Sequence, residues 1–153
     1  MKDGTWYPVT GFYFKVEVDG ISDAVDNSFK EVEGLSMEME LEEFKEGGNN
    51  QLLQVPKRMK KKNLVLKRGL VPAQSKLMTW VEKTVSSDLS SPITLKTILV
   101  KLLNEKGNPL LVWTFNNAYP IKYDLSNLDA MKNDCLVETM EFSYTNFSRK
   151  YAS

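Results

Sequence analysis

The sequence predicts a mainly β fold: two antiparallel sheets forming a β-sandwich or barrel-like domain, with one flanking α-helix. Three observations carry this. Apolar and polar residues alternate with a period of two in several stretches, which marks strands with one buried face. Runs rich in Gly, Asn, Asp and Pro separate those stretches and read as turns. Only one stretch, Gln74 to Ser87, keeps a helical spacing. With 153 residues and 42% hydrophobic content, the chain is expected to form one domain, 1–153, around a single core.

The first strand is Gly11 to Val18. Phe12, Phe14, Val16 and Val18 alternate with Tyr13, Lys15 and Glu17, and Asp19-Gly20 turns the chain. Ser28 to Val32 reads as a short strand or connector, ended by Glu33-Gly34. From Ser36 to Glu42 the alternation is strict. Met37, Met39 and Leu41 point one way, toward an expected buried face; Ser36, Glu38, Glu40 and Glu42 point the other. Asn63 to Lys67 is another short strand. In the helix, Leu77, Val81 and Val85 recur every four residues, Met78 and Trp80 widen the stripe, and Gln74 or Ser75 caps the start. Packing against a sheet accounts for that stripe. Leu95 to Leu103 is apolar on both faces and is expected at the centre of a sheet. Glu105 to Pro109 is a hairpin turn, and Leu110 to Tyr119 is the partner strand. Pro120 ends or kinks that pairing. Ile121 to Leu125 continues as a strand, Leu128 to Asp134 is a loop, and Cys135 to Phe147 is the last long strand. The total is about seven or eight strands and one helix.

The stretch from Leu35 to Arg68 stands apart by its charge. One arm is acidic. The return carries Lys57, Arg58, Lys60, Lys61, Lys62, Lys67 and Arg68 and no acid. Gly47-Gly48-Asn49-Asn50 joins them with residues that tolerate positive φ. The arms either pair within the chain as a hairpin or meet their complements on a neighbouring copy, and the two readings are compatible.

Composition narrows the chemistry. Twenty basic and twenty acidic residues leave a formal charge of zero, which disfavours a nucleic-acid coat and suits a protein that packs against itself. There is no histidine, so the commonest general base and metal ligand is missing. One cysteine, Cys135, forms no internal disulfide and is expected as a small buried hydrophobe. No signal-peptide core or membrane-length apolar run is present, so a soluble protein assembled in the cytoplasm, without a membrane anchor, is expected. Glu38 and Glu40 sit at a spacing some glycosidases use, but no cleft is implied around them. The Lys57–Lys62 run lacks aromatic neighbours for base stacking. Gly47-Gly48 lacks the Lys-Ser or Lys-Thr of a phosphate loop. No catalytic, cofactor or metal site is expected.

Four motifs, in order, carry a resemblance. They are Gly11-Phe12-Tyr13-Phe14-Lys15-Val16-Glu17-Val18-Asp19-Gly20; Phe29-Lys30-Glu31-Val32-Glu33-Gly34-Leu35 with the acidic run to Asn50; Asn63-Leu64-Val65-Leu66-Lys67-Arg68-Gly69; and Trp113-Thr114-Phe115-Asn116-Asn117-Ala118-Tyr119-Pro120 followed by Glu138-Thr139-Met140-Glu141-Phe142. Together they resemble the tail tube proteins of contractile phages of the T-even type, and the inner tube proteins of extracellular contractile injection systems. The resemblance covers nearly the whole chain. It implies a fold like that of the haemolysin-coregulated tube protein of type VI secretion. Six copies would close into a ring, and rings would stack into a rigid tube inside a contractile sheath. The implied partners are further copies of the chain, sheath protein, baseplate or hub and terminator proteins, with cargo or DNA in the lumen. The implied location is a phage tail or an extracellular injection particle. On this reading ring stacking falls to Glu46, Gly47, Gly48, Asn49, Asn50, Lys57, Arg58, Lys60 and Lys61. The lumen is faced by Glu38, Glu40 and Glu42. The competing reading is a monomeric β-sandwich binding module that uses the basic arm on an acidic ligand; a carboxylate glycosidase ranks third.

Overall fold

A computed structural model of the chain describes residues 11–21, 28–45, 47–48, 52–70, 75–126 and 136–152. Within them lie ten strands and one helix: β1 (Tyr13–Val18), β2 (Ser28–Phe29), β3 (Glu31–Glu33), β4 (Glu38–Lys45), β5 (Leu52–Lys60), β6 (Leu64–Gly69), α1 (Lys76–Val85), β7 (Lys96–Leu103), β8 (Pro109–Leu125), β9 (Val137–Ser143) and β10 (Asn146–Tyr151).

Strand β8 is long enough to serve two sheets. Its first half pairs with β7 and, on the other side, with β10; its second half pairs with β9. The hand-over falls at Asn117, which takes a positive φ of 54° that asparagine tolerates better than most residues. As expected, the pairing with β7 has ended before Pro120, the register shifts beside it, and the chain continues as a strand. Pairing continues from Tyr119 to Leu125, with the register shift between Pro120 and Lys122 absorbing the missing N–H.

The strand order is β2-β1-β7-β8-β9-β6-β3, all antiparallel, and the path nearly returns on itself. Strands β2 and β3 are separated only by Lys30, whose N–H donates to the Lys67 carbonyl at 2.9 Å. The expected single connector is therefore two short strands on two sheets, and the domain is barrel-like. Facing positions of both sheets supply one core: Val16, Val18, Ile98, Val100, Trp113 and Phe115 from one, Leu64, Leu66, Met140 and Phe142 from the other. Removing each such side chain from water stabilises the fold by about 1.5–3 kcal/mol. Strand β7 does lie between β1 and β8, as its two apolar faces require.

The helix begins at Ser75, whose Oγ accepts from the Met78 N–H at 3.1 Å. It buries Leu77, Trp80 and Val81. Trp80 stacks on Phe142 at 5.7 Å and donates its indole N–H to the Thr94 carbonyl at 3.0 Å. Val85, predicted in the same stripe, is 42% exposed because the stripe runs off the sheet there.

The last predicted strand divides. Strand β9 stops at Ser143, the chain turns at Tyr144-Thr145, and β10 returns along β8. Cys135 and the 128–134 loop lie outside the described residues.

Candidate assembly surface

Strands β4 and β5 form a two-stranded sheet of their own, unpaired with the barrel. This antiparallel hairpin is built from the acidic and basic halves of one stretch. Its register sets Glu38 opposite Lys60, Met39 opposite Met59, Glu40 opposite Arg58, Leu41 opposite Pro56 and Phe44 opposite Leu53. Lys57 is the extra residue of a bulge, which moves the register between Glu40 and Leu41.

The expected buried face of β4 is not buried within the chain. Met37, Met39 and Leu41 are 57%, 58% and 52% exposed, and all nine residues of β5 are exposed. The period of two is real, but the barrel stands clear of the arm and covers neither of its faces. Residues directly opposite in an antiparallel pair share a face. One face therefore carries Met39, Met59, Leu41 and Pro56, continues with Glu43 and Gln54, and ends in Lys45 and Leu52. The other begins with Glu38, Lys60, Glu40 and Arg58 and ends in Val55, Phe44 and Leu53. The apolar surface thus changes sides along the arm. Leu52, Leu53, Val55 and Met59 lie among the basic residues of the return, and their apolar pattern was overshadowed by charge in the sequence reading.

The electrostatics follow the register. Arg58 donates through Nε to Glu40 at 3.3 Å, and the Lys62 ammonium lies 3.7 Å from Glu38. Glu38, Glu40 and Glu42 share one face of β4, and that face is not uniformly acidic, because Arg58 and Lys60 stand on it too. The proposed lumen carboxylates and part of the proposed stacking set are brought together on one surface. Gly47 and Gly48 form an exposed turn at the tip, with Gly48 at φ +84°. Glu46, Asn49 and Asn50 lie outside the described residues. Lys61 sits at the root, where its ammonium donates to the Tyr144 carbonyl at 2.9 Å.

The barrel offers further edges. Among the described residues, β10 pairs only with β8 and β3 only with β6, so each leaves one side unpaired. Strand β10 was missed as an edge because the alternation from Cys135 to Phe147 runs on across its turn. On the β3 side, Glu33 and Glu31 flank Lys67; a hydrogen bond from its ammonium to Glu33 at 3.1 Å, helped by the charge of Glu31, holds its pKa above the usual lysine range.

Among the described residues, the one buried ion pair belongs to the barrel. Arg68 and Glu138 face each other across β6 and β9 at 3.0 Å, each about 3% exposed. Tyr123 donates its hydroxyl to the other carboxylate oxygen at 2.9 Å. Burial, then this bond to Glu138, pushes the Tyr123 phenol up to about 12. The pair locks strand register. A hollow of about 600 Å³ lies elsewhere, as an open groove along Glu17–Ile21, Thr97 and Leu99. Among the described residues no three His, Cys, Asp or Glu side chains are placed to hold a metal ion, and no helix is long and apolar enough to cross a membrane.

Residues 10–148 match the family of the T4-like virus tail tube protein gp19. No curated protein sequence matches the chain. Among solved structures, a chain of the anti-feeding prophage baseplate, determined by cryo-EM with 6-fold symmetry, is 28% identical, with a TM-score of 0.76 over 95% of this chain and 96% of that one. A chain of the sheath–tube complex of an extracellular contractile injection system in its extended state shares the fold at 24% identity and the same TM-score, over 95% and 93%. Hcp1 from Salmonella typhimurium shares it more distantly, at 15% identity and a TM-score of 0.55, over 93% and 87%.

Proposed function

The chain belongs to the family of the T4-like virus tail tube protein gp19, and we propose that it is the inner tube subunit of a contractile injection system or phage tail. Six copies close into a ring, rings stack into a hollow tube, and a contracting sheath drives the tube through a target envelope. The chain's role is mechanical and not catalytic. Sheath, baseplate and terminator proteins are its partners along the particle, and cargo or DNA passes through the lumen. Assembly takes place in the bacterial cytoplasm.

The observation that carries this reading is the arm. A single chain holds Met39, Leu41, Phe44, Leu53, Val55 and Met59 at 42–58% exposure on a two-stranded hairpin. A lone hairpin is marginal in water and needs a further strand or a covering surface. A second copy supplies both. Closing the β10, β3 and arm edges across copies also removes the open edges through which sheets aggregate.

Within that assembly Glu38, Glu40 and Glu42 face the water-filled lumen. Stacking falls to Glu46, Gly47, Gly48, Asn49, Asn50, Lys57, Arg58, Lys60 and Lys61. The shared face of Glu40 and Arg58 gives one surface two neighbours: water along the wall, and the next ring at the rim. Exposed ion pairs contribute only ~0–1 kcal/mol each, but every ring repeats them around its symmetry axis.

Electron microscopy and native mass spectrometry of the purified chain test the proposal. Rings or tubes at micromolar concentration are the expected result; a chain that stays monomeric even with its sheath and baseplate partners sinks it. Changing Lys57, Arg58 and Lys60 to glutamate should leave rings intact and shorten or abolish tubes. Raising salt should weaken stacking before it opens rings, since the screening length falls from ~10 Å at 0.1 M to ~3 Å at 1 M. Loss of rings in the reversed variant would move the basic residues to the lateral contact.

A further inference from the structure

The arm is free along its length and held at its root. Three groups hold it there. Tyr144, in the turn between β9 and β10, donates its hydroxyl to the Lys62 carbonyl at 2.6 Å. Lys61 donates back to the Tyr144 carbonyl at 2.9 Å, and its ammonium stands 5.5 Å from the centre of the Tyr144 ring. Consecutive residues of the returning chain thus engage opposite ends of one tyrosine. Asn63 adds a bond from Nδ2 to Glu141 Oε1 at 2.9 Å.

The outgoing chain is fixed by contact. Gly34 has φ +96°, and a Cβ built on it would lie 2.2 Å from the Asn63 carbonyl oxygen. Only glycine lets the two root segments approach this closely.

Tyr144 itself is packed into the barrel core. It is 3% exposed, and its ring packs edge-on against Phe115 at 4.9 Å and Phe147 at 5.7 Å. Phe147 stacks in turn on Phe115 at 5.3 Å and lies within β10. The anchor of the arm is therefore built into the start of the β10 edge strand.

We propose that Tyr144 is a positioning residue for self-assembly: it sets the direction of the β4–β5 arm and fixes it relative to the β10 edge, so that two surfaces for neighbouring copies are presented as one rigid body. The inference rests on the tube-subunit reading for its purpose, but not for its geometry. A hairpin without this clamp samples many directions, and docking then has to stop that motion, which weakens association. A hairpin already aimed avoids that loss.

Spin labels placed through Lys45→Cys on the arm and Lys122→Cys on the barrel, in a Cys135→Ser background, measure the arm's direction in the dilute, unassembled chain. One narrow distance peak is expected. Tyr144→Phe keeps the ring packing and removes the hydroxyl, and it should cost the narrow peak while the near-ultraviolet circular dichroism of the barrel stays unchanged. Gly34→Ala should displace the peak by forcing the root segments apart. A peak equally narrow and unmoved in Tyr144→Phe overturns the clamp. Should that variant not fold, Lys61→Met decides in the same way: a broadened or shifted peak supports the clamp, an unmoved one overturns it. Tube length is read separately. A loosened arm that still builds tubes of normal length overturns the role in assembly. A parent chain that never builds tubes, yet loses its narrow peak in Tyr144→Phe, keeps the clamp and removes the tube-subunit reading instead.

Discussion

The barrel and the arm treat the same kinds of side chain in opposite ways. In the barrel, charged Arg68 and Glu138 lie inside, paired to each other at 3.0 Å, with Tyr123 on the remaining carboxylate oxygen. On the arm, Met39, Leu41, Phe44 and Leu53 stand in solvent, 44–58% exposed. Apart from its open β3 and β10 edges, a barrel that pairs its buried charges is complete as one chain. An arm that leaves apolar groups on both faces is not. The difference separates two regions along one sequence: the barrel holds the buried core, and the arm leaves its apolar surface uncovered.

The sharpest way to break that division is to damage each region in the same manner. Arg68→Met or Glu138→Leu alone leaves a buried charge without its partner and should destabilise the chain by about 3–5 kcal/mol. Changing both together should restore most of that loss, because an apolar pair of similar volume removes the stranded charge. Urea denaturation of the unassembled chain reads both results. Single variants as stable as the parent would show the barrel tolerating open charge as the arm does. Aromatic truncation makes the same comparison. Phe142→Ala empties a fully buried site against Trp80 and should cost about 3–5 kcal/mol. Phe44→Ala, at 55% exposure, should change the stability of the unassembled chain by no more than ~0.5 kcal/mol while weakening assembly.

A smaller effect is expected at alkaline pH. Folding raises the Tyr123 phenol from its ordinary 10.0 to about 12, first through burial and then through its bond to Glu138. The unfolded chain therefore releases this proton at lower pH than the folded one. The stabilising contribution is complete below about pH 10 and is lost as pH rises toward about 12. Tyr144, raised by burial alone, acts in the same direction. Thermal melts of Tyr123→Phe should show a flatter decline over that window than the parent. An equally steep decline would assign the alkaline loss to other groups.

How far each region was legible follows from the same contrast. Local signals sufficed for the barrel: alternation placed β1, β6 and β9, a run apolar on both faces placed β7, and a four-residue stripe placed α1. Period two reports that a strand has two unlike faces, but not what covers them. In β1 the covered face was the barrel core, at Val16 and Val18. In β4 the identical pattern has no cover among the described residues. Alternation also runs unbroken through Tyr144-Thr145, so β9 and β10 read as one strand; only pairing with β8 shows where the chain turns. The clamp at Tyr144 could not be read at all, because it joins residues 82 and 83 positions apart.

The smallest expected effect is the most informative about the arm. Glu40 and Arg58 form an exposed cross-strand pair at 3.3 Å, and such pairs contribute ~0–1 kcal/mol in water. A double-mutant cycle with Glu40→Gln and Arg58→Gln on the unassembled chain should return a coupling in that range, shrinking further as salt is added. The same cycle on tube disassembly then asks which side of the arm meets water. If Glu40 lines the lumen, the pair stays hydrated in the tube, and its coupling should match that of the free chain and keep its salt dependence. If the pair lies in a ring contact, its surroundings lose water. The attraction then strengthens as the local dielectric falls, and added salt loses its hold on it. Because the register places both residues on one face, they share a single fate in this experiment. An unchanged coupling assigns that part of the arm to the lumen wall and removes Arg58 from the stacking set. A larger, salt-resistant one removes Glu40 from the lumen.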